Sequence, residues 1–260
     1  MIDLHTHLLP DWDDGAATWD DFNAMAAIAR GDGIRTVVLT PHVFRLTRHG
    51  DDFGLLEQRF ARAAGAEKAT GLRICRGAEV FLQPAVGSVL RERRLTINGS
   101  DYFFVEFPED TLPPNVGEVL FKIMLEGFTP VISHPERNAV FRERPELLFD
   151  LILRGCLAQV TAKSLTGGFG PETKRAAGLF LKHNLVQVIA SDAHDARSRP
   201  PVLSAAVEEA GRAVGADKAL AMVTEIPRAV LDNKALPDWG EPEEPVRKKK
   251  WTVRIPRLGK

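Results

Sequence analysis

Two histidines in the first apolar stretch of the chain are spaced for chemistry. His5 and His7 stand two residues apart, and in a strand such residues point to the same face, so both imidazoles can reach one cation. A single histidine in such a stretch is usually a hydrogen-bonded core residue, and the pair alone fits a core role and a metal site equally well. Three aspartates follow. Asp14, in the sequence DDG, is a candidate ligand or a turn carboxylate, and Asp11 and Asp13 are assigned to the turn.

Further candidate ligands lie at or just after the ends of later apolar stretches. They are His42, Glu79, Glu106, His134, Asp192 and His194. Asp192 and His194 repeat the spacing of two, and Glu106 interrupts a stretch that is otherwise aromatic and aliphatic. A buried carboxylate without a partner is costly, so we expect a cation near Glu106.

Five histidines and four carboxylates together exceed what one ion needs. The sequence therefore predicts two or three divalent ions. Mixed imidazole and carboxylate ligands suit manganese, iron, zinc, cobalt or magnesium and argue against a cysteine-rich structural zinc site. Clustered ions activate water and stabilise the oxygens of an in-line displacement, which predicts a hydrolase.

The sequence lacks the residue patterns that two other catalytic classes require. A cysteine-dependent phosphatase needs an arginine six residues after its nucleophile, where Cys75 is followed by Phe81 and Cys156 by Ala162. No glycine-rich nucleotide loop is present. The sequence GGFG over residues 167–170 is interpreted as a flexible loop near the site.

The elements that position these residues alternate along the chain. Seven short apolar stretches, from MIDLH to LVQVIASDAH, are predicted as strands separated mainly by helices, with Thr18 and Asp21 forming a capping box before the first helix. This order is typical of a parallel sheet. Because the ligands follow six different strands, we expect an α/β fold of the TIM-like (β/α) barrel type rather than an open sheet with one switch point.

Composition and charge define the domain boundary. The chain has 260 residues, 44% of them hydrophobic, and a net charge of −1 that conceals seven basic and no acidic residues from Arg247 to Lys260. We predict a single barrel domain over residues 1–236 and a linker with a basic tail over 237–260. The tail is a solvated extension, packs on a neighbouring subunit, or contacts an anionic partner or membrane surface.

Location follows from what the sequence lacks. Two cysteines, no basic and apolar leader and no long apolar run predict a cytoplasmic protein without a membrane span. No nucleic-acid partner is expected.

The motifs, in their order, resemble those of the polymerase-and-histidinol-phosphatase (PHP) family. The resemblance is carried by MIDLHTHLLPDWDDG, TPH, GAEV, VEFP, ISHPER, QVTAKSLTGGFG and IASDAH, about three quarters of the chain. It is closer to the bacterial branch of manganese-dependent tyrosine-protein phosphatases found with capsule and exopolysaccharide operons. The resemblance implies a distorted (β/α)7 barrel.

The resemblance also implies a trinuclear site in which manganese is the first choice. His5, His7, Glu79 and Asp192 would hold one ion, Glu79, Glu106 and His134 a second, and Asp14, His42 and His194 a third. Arg137 resembles the family's phosphate-binding arginine and would act in catalysis, with a surface ion pair to Glu136 or a neighbouring acid as the alternative.

Two departures from the family pattern concern the expected substrate mouth. Val43 stands where many relatives have histidine or arginine, so Arg45 and Arg48 in the same loop are assigned to substrate binding. Lys163 stands where a small residue is commoner.

The function implied is metal-dependent hydrolysis of protein phosphotyrosine. The implied substrate is the tyrosine-rich tail of a polysaccharide-assembly kinase. The basic C-terminal tail of this chain would contact that kinase or a membrane surface. The alternative is a small-molecule phosphatase acting on histidinol phosphate. An amidohydrolase would use a lysine where Glu106 stands, and a non-catalytic module would lack ligands, so both rank lower.

Overall fold

Parallel strands dominate the structure, a computed structural model that describes residues 1–83, 86–92 and 94–245. The strands are β1 (Ile2–Thr6), β2 (Thr36–Leu39), β3 (His42–Val43), β4 (Arg73–Arg76), β5 (Glu79–Phe81), β6 (Tyr102–Glu106), β7 (Thr129–Ser133), β8 (Leu157–Thr161) and β9 (Val188–Ala190). They form one sheet of order β1-β2-β4 and a second of order β3-β5-β6-β7-β8-β9. Every pairing between these strands is parallel. The predicted α/β class with a parallel sheet is confirmed.

Helices connect most of the strands. They are α1 (Trp19–Gly31), α2 (Phe53–Gly65), α3 (Glu67–Thr70), α4 (Val86–Glu92), α5 (Val116–Leu125), α6 (Ala139–Glu143), α7 (Pro145–Leu153), α8 (Ala162–Thr166), α9 (Pro171–Lys182), α10 (Ser204–Val214), α11 (Ala216–Ala221) and α12 (Glu225–Leu231), with 3₁₀ turns at Ile97–Gly99 and Pro135–Arg137. The predicted capping box is confirmed, because the Thr18 hydroxyl accepts from the Asp21 amide and the Asp21 carboxylate accepts from the Thr18 amide.

Two predicted strands are each divided in the structure. β2 and β3 are separated at Thr40 and Pro41, and Pro41 has no amide hydrogen to continue the ladder. β4 and β5 are separated at Gly77 and Ala78.

A single closed barrel is not found among the described residues, so the predicted barrel is not confirmed and stays a prediction. The divided strands place β2 and β4 in one sheet and β3 and β5 in the other, so one continuous ladder does not form. β1 and the segment after β9 come together at a parallel bridge between Thr6 and Ala193.

Consecutive residues of β6 show how the strands are covered. Phe103, Phe104 and Val105 have no exposed surface although their side chains alternate in direction. Both faces of the strand are therefore buried, as is usual when helices cover a parallel sheet. The polar ligand of this strand, Glu106, lies at its carboxyl end.

The segment after α12 returns to the body of the protein. Trp239 is partly buried against the core, its carbonyl accepts from Lys218 Nζ at 3.1 Å, and the Glu243 amide donates to the His183 carbonyl at 2.9 Å. The division at residue 236 stays a prediction. The basic tail from Arg247 to Lys260 lies outside the described residues. No helix in the described part of the chain has the length and apolar character needed to span a membrane.

Candidate metal centre

All nine predicted ligands lie at one edge of the two sheets. Four belong to strands, namely His5 in β1, His42 in β3, Glu79 in β5 and Glu106 in β6. The other five lie in the segments that follow strands and are His7, Asp14, His134, Asp192 and His194. Since the carboxyl ends of parallel strands share one edge, residues far apart in sequence come together there.

Two of these residues have strained backbone. His134 has a φ of 33° and Asp192 a φ of 51°, both in the left-handed region that side chains other than glycine rarely adopt. The Asp192 amide donates to the His5 carbonyl at 2.9 Å, which fixes the loop after β9 against β1. Such strain is common where a side chain must be directed into a site.

Glu79 is the centre of the cluster. Its Oε2 lies 3.2 Å from His5 Nε2, 3.3 Å from His7 Nε2 and 3.2 Å from His42 Nδ1, and its Oε1 lies 3.0 Å from His134 Nε2. The side chain is fully buried. Although burial opposes ionisation, the surrounding imidazoles, His5 first, hold the pKa of Glu79 well below its usual range.

Three groups of ligand atoms are close enough to share an ion, with the atoms of each group within 4.8 Å of one another. The groups are His5, His7 and Asp192; His42, Glu79 and Glu106; and His7, Asp14, His42 and His194. Relative to the predicted distribution, His7 and His42 each enter two groups, Glu79 is grouped with His42 and Glu106 but not with His5, and His134 contacts Glu79 without entering a group. Which ligand serves which ion stays a prediction.

Several buried atoms of the cluster have no hydrogen bond within the described structure. They are both carboxylate oxygens of Glu79, Oε2 of Glu106 and Nδ1 of His42. Buried polar atoms are normally satisfied, and leaving one unsatisfied costs about 1–3 kcal/mol. Divalent cations among these atoms would satisfy them, so the donor set fits the predicted metal site.

The buried groups of the cluster shift one another's pKa values. Burial and the charge on His7 lower the pKa of His42 to about 4, and the same two causes lower the pKa of His194. Burial and the neighbouring Glu79 carboxylate raise the pKa of Glu106 to about 8. The pKa of His7 is raised despite its burial, because Asp13 faces it. Without a cation, the protein alone leaves some groups in this cluster in their uncharged forms.

Asp13 belongs to the site, and its assignment to the turn alone is corrected. Its Oδ2 accepts from His7 Nδ1 at 2.8 Å and from the His42 amide at 2.9 Å, and Oδ1 accepts from the Gly15 amide at 2.9 Å. The side chain is buried. A carboxylate behind a ligating histidine fixes the tautomer and orientation of the ring. The three adjacent acids in DWDDG gave no basis for choosing this one.

Asp11 faces outward, in agreement with its assignment to the turn. Its side chain is 48% exposed, and its Oδ2 accepts from Arg59 Nη2 at 2.6 Å. A second residue that the sequence analysis missed is Gln159, whose Oε1 lies 3.0 Å from His5 Nδ1 and orients that ring.

Two arginines meet at Asp192. Arg137 Nη1 donates to Asp192 Oδ2 at 2.8 Å, and Arg199 Nη2 donates to the same oxygen at 2.6 Å. Arg137 also pairs with Glu109 at 3.0 Å. Burial opposes ionisation of Asp192, but Arg199 is the first of the charges that hold its pKa well below the usual range. Arg199 was not singled out from the sequence, where it follows the motif in a turn-rich loop.

The predicted alternative for Arg137, an ion pair with Glu136 or a neighbouring acid, is found in part, because Arg137 pairs with Glu109 and with Asp192 and, among the described residues, not with Glu136. Glu136 is fully buried, and its Oε1 accepts from the Thr161 amide at 2.9 Å and from the Ser164 hydroxyl at 2.6 Å. Its role is to connect the turn after β7 to the start of α8. That contact supports the backbone from which Arg137 extends.

Arg45 and Arg48 differ in position. Arg45 Nη1 lies 3.6 Å from Glu106 Oε1, and its guanidinium lies over the Phe81 ring at 5.1 Å. Arg48 Nε donates to the Asp13 carbonyl at 2.5 Å, so that side chain fastens its loop to the loop that carries Asp14. Substrate binding by either arginine stays a prediction.

The chain is similar to known phosphatases over nearly its whole length. A family profile described as capsular polysaccharide synthesis, CpsB/CapC, matches residues 1–232. The tyrosine-protein phosphatase YwqE of Bacillus subtilis is 33% identical over 258 residues, which cover 96% of this chain and 98% of YwqE.

Solved structures agree with that similarity. A crystal structure from work on YwqE of Bacillus subtilis and CpsB of Streptococcus pneumoniae, described as unique metal-dependent tyrosine phosphatases, matches with a TM-score of 0.84 and 32% identity over 95% of this chain and all of that one. Histidinol phosphate phosphatase from Lactococcus lactis matches with a TM-score of 0.54 and 14% identity, over 84% of this chain and 94% of that one, which shows a shared fold alone.

Proposed function

The chain belongs to the CpsB/CapC family of capsular polysaccharide synthesis, and from that premise we propose that it is a metal-dependent phosphatase that hydrolyses phosphotyrosine in proteins. One observation carries the proposal. A cluster of five imidazoles and four carboxylates, all buried except the half-exposed Asp14, adjoins two arginines, in a chain that is 33% identical to a tyrosine-protein phosphatase over 96% of its length. The fold-level likeness to histidinol phosphate phosphatase does not favour that alternative.

The cofactor is two or three divalent ions, with manganese first and iron, zinc, cobalt or magnesium as alternatives. The residues that would hold them are His5, His7, Asp14, His42, Glu79, Glu106, His134, Asp192 and His194. Bound ions of this kind activate water near neutral pH and offset the charge that develops on phosphoryl oxygens. The residues of the chain supply the remaining functions.

Arg137 and Arg199 bind the phosphoryl group. Both guanidiniums are held by Asp192 Oδ2, so each has a fixed position and retains further N–H donors. A guanidinium grips two phosphoryl oxygens at once and stabilises negative charge on them in the transition state. Asp13 and Gln159 keep the His7 and His5 rings in the orientation that ligands need.

The phenolate leaving group explains why no residue is assigned the role of general acid. A tyrosine phenol has a pKa of about 10, so its phenolate departs more readily than an alkoxide and needs less help from a general acid. This chemistry favours phosphotyrosine over phosphoserine as the substrate.

The architecture is proposed to be the distorted (β/α)7 barrel of the PHP family. If β2 with β3 and β4 with β5 are counted as two interrupted strands, seven strands run in sequence order around the two sheets. The bridge between Thr6 and Ala193 and the hydrogen bond from the His7 amide to the Ala193 carbonyl support closure between the first and last strands.

The physiological substrate is proposed to be the tyrosine-rich tail of a bacterial polysaccharide-assembly kinase, in the cytoplasm. Two lines of support are the capsular synthesis family and two free cysteines, typical of a reducing compartment. A membrane or kinase contact of the basic tail stays part of this proposal.

The test compares substrates on the purified, manganese-loaded protein. We expect hydrolysis of a phosphotyrosine peptide to exceed that of the matched phosphoserine peptide and of histidinol phosphate by at least about tenfold in kcat/KM, a difference of roughly 1.4 kcal/mol. Equal turnover of the two peptides would refute the substrate assignment.

The site itself is tested by His134→Ala, which is expected to lower kcat by more than about a hundredfold through loss of a Glu79 contact and a ligand. His183→Ala, at the end of α9 outside the cluster, is the control and should keep its activity. Full activity in His134→Ala would refute the mechanism.

A further inference from the structure

A cavity beside the metal centre is lined by residues that, apart from Arg199, have no part in the proposed mechanism. Its volume is about 330 Å³, and it lies between α8, α10 and the loop after β9. Lys163, Ser198 and Arg199 provide polar groups, and Pro200, Val202 and Ala206 provide an apolar wall. We call it the Lys163 cavity. Its lining, within the described part of the chain, includes two cations and no carboxylate. A cavity of this size lies at the small end of the range of ligand pockets and has room for a side chain.

Lys163 is held at the cavity by neutral groups. Its Nζ donates to the Ser198 carbonyl at 2.8 Å and lies 5.0 Å from the centre of the Phe169 ring. Its stem lies against Gly168, where an added Cβ would come within 2.5 Å of Lys163 Cγ. Gly168 is therefore required for this close approach. No ion pair joins Lys163 to a carboxylate in the described part of the chain, so its charge is not neutralised.

Arg199 connects the Lys163 cavity to the metal centre. One side of its guanidinium donates to Asp192, while its Nε is a buried donor without a partner within the described structure. The Phe169 ring lies 5.7 Å from Arg199 and 5.1 Å from Arg137, on the same aromatic side chain that Lys163 contacts. Cations are attracted to the face of an aromatic ring because that face carries a negative electrostatic potential. Three positive charges thus surround one phenylalanine next to the site of hydrolysis.

We propose that the Lys163 cavity is a second anion site, which binds an acidic side chain of the substrate protein close in sequence to the phosphotyrosine. The occupant is a carboxylate or a second phosphotyrosine, since both offer oxygen acceptors to Lys163 and Arg199. This inference rests on the proposed function and adds to it a preference for acidic sequence context. The apolar wall accommodates the stem or ring of that side chain.

The experiment measures KM for peptides of equal length that contain one phosphotyrosine. Three peptide series are compared at each position next to the phosphotyrosine. The first carries an acidic residue at that position, the second carries alanine, and the third carries a non-hydrolysable phosphonate analogue of phosphotyrosine. At the preferred position we expect a KM about five- to tenfold lower than for the alanine peptide, equivalent to roughly 1 kcal/mol. Equal KM values across all series would overturn the proposal. The series with the larger effect distinguishes carboxylate from phosphate.

Lys163→Met tests the residue, because methionine keeps an apolar stem on Gly168 and removes the charge. We expect it to abolish the acidic preference while changing the KM of the alanine peptide and of a small aryl phosphate by less than about twofold. Lys182→Met, on the exposed end of α9, is the matched control. Loss of aryl phosphate hydrolysis in Lys163→Met would overturn the proposal, since Lys163 would then serve the catalytic centre or the fold.

A binding measurement separates this inference from the proposed function. An acidic peptide without phosphotyrosine, labelled with a fluorophore, should bind the wild-type protein more tightly than Lys163→Met by about fivefold, a difference of roughly 1 kcal/mol. If this difference appears but no phosphotyrosine peptide is hydrolysed, the proposed function fails and the cavity stands. If hydrolysis occurs but binding is the same in both proteins, the cavity proposal fails alone.

Discussion

Adjacent acidic residues in the loop after β1 have different physical roles. Asp13 is buried and faces His7, whereas Asp11 is half exposed and pairs with Arg59. Asp14 lies 3.5 Å from His42 Nε2 and 3.4 Å from His194 Nε2, where it can share an ion with them. The three carboxylates are chemically alike, so their roles follow from direction and burial.

Asp13→Asn is expected to weaken metal binding by about ten- to a hundredfold, because it removes the charge that holds the His7 ring. The measurement is manganese affinity by titration of the metal-free protein. Asp11→Asn is the matched control and should bind manganese normally. Equal affinities for the two variants would show that Asp13 does not position His7.

The raised pKa of Glu106 predicts how the free energy of unfolding of the metal-free protein depends on pH. Burial and Glu79 raise its pKa to about 8 in the folded protein, against 4.5 for an unperturbed glutamate. Between these values the unfolded chain loses the proton that the folded protein retains, so ionisation favours unfolding. The contribution of Glu106 is present below pH 4.5 and is lost as the pH rises to about 8.

The free energy of unfolding, measured in urea with a chelator, should therefore fall in the wild type relative to Glu106→Gln between pH 5 and pH 8. The expected fall is at least about 1.4 kcal/mol, the equivalent of one pKa unit. Glu118→Gln, on the exposed side of α5, should show no such trend. A pH-independent difference between wild type and Glu106→Gln would contradict the assignment.

At the scale of elements, the loop after β1 is shaped by close packing on a ligand. A Cβ at Gly15 would lie 2.0 Å from the His7 carbonyl oxygen and 2.5 Å from His7 Cβ. The Ala16 amide donates to that same carbonyl at 3.0 Å. The glycine of DDG is thus needed for the close approach of this loop to His7.

Gly15→Ala should destabilise the protein by about 3 kcal/mol and reduce its metal content, because the clash is with backbone and cannot be relieved by a rotamer change. Urea unfolding and metal analysis measure the two effects. Gly31→Ala, at the end of α1 where no atom lies within 4 Å of an added Cβ, should change stability by less than about 1 kcal/mol. Similar effects of both substitutions would refute the packing argument.

For the whole molecule, the site joins distant parts of the chain. Ligands from the first and last strands and from those between them converge on one cluster. Ions bound there would stabilise the folded state as a unit, because the unfolded chain cannot assemble the same ligands.

Manganese at a hundred times its dissociation constant should stabilise the protein by about 2.7 kcal/mol and raise Tm by roughly 5–10 °C over that in a chelator. Thermal unfolding with and without manganese measures this shift. In Glu79→Gln, which removes the central carboxylate, the shift should be abolished. A full shift in that variant would place the stabilising ions elsewhere.

Much of the fold and site could be predicted from residue order. The alternation of strands and helices predicts a parallel sheet, and a parallel sheet places His5, Glu106 and Asp192 at one edge whatever its curvature. The sequence also predicts a closed barrel, but closure stays a prediction, because it depends on where Pro41 and Gly77 interrupt two strands. Arg199 escaped prediction, because nothing in its local sequence indicates that it turns back towards Asp192.

The sequence by itself determined which chemistry is available to this protein. Histidine and carboxylate types at strand ends select divalent metals and hydrolysis, and their order identifies the family. Only the tertiary structure decided which of several equivalent residues act, because that depends on distances across the strand ends. Asp13 rather than Asp11 faces His7, Arg137 meets Asp192 rather than Glu136, and Lys163 lies over a cavity without a carboxylate to neutralise it.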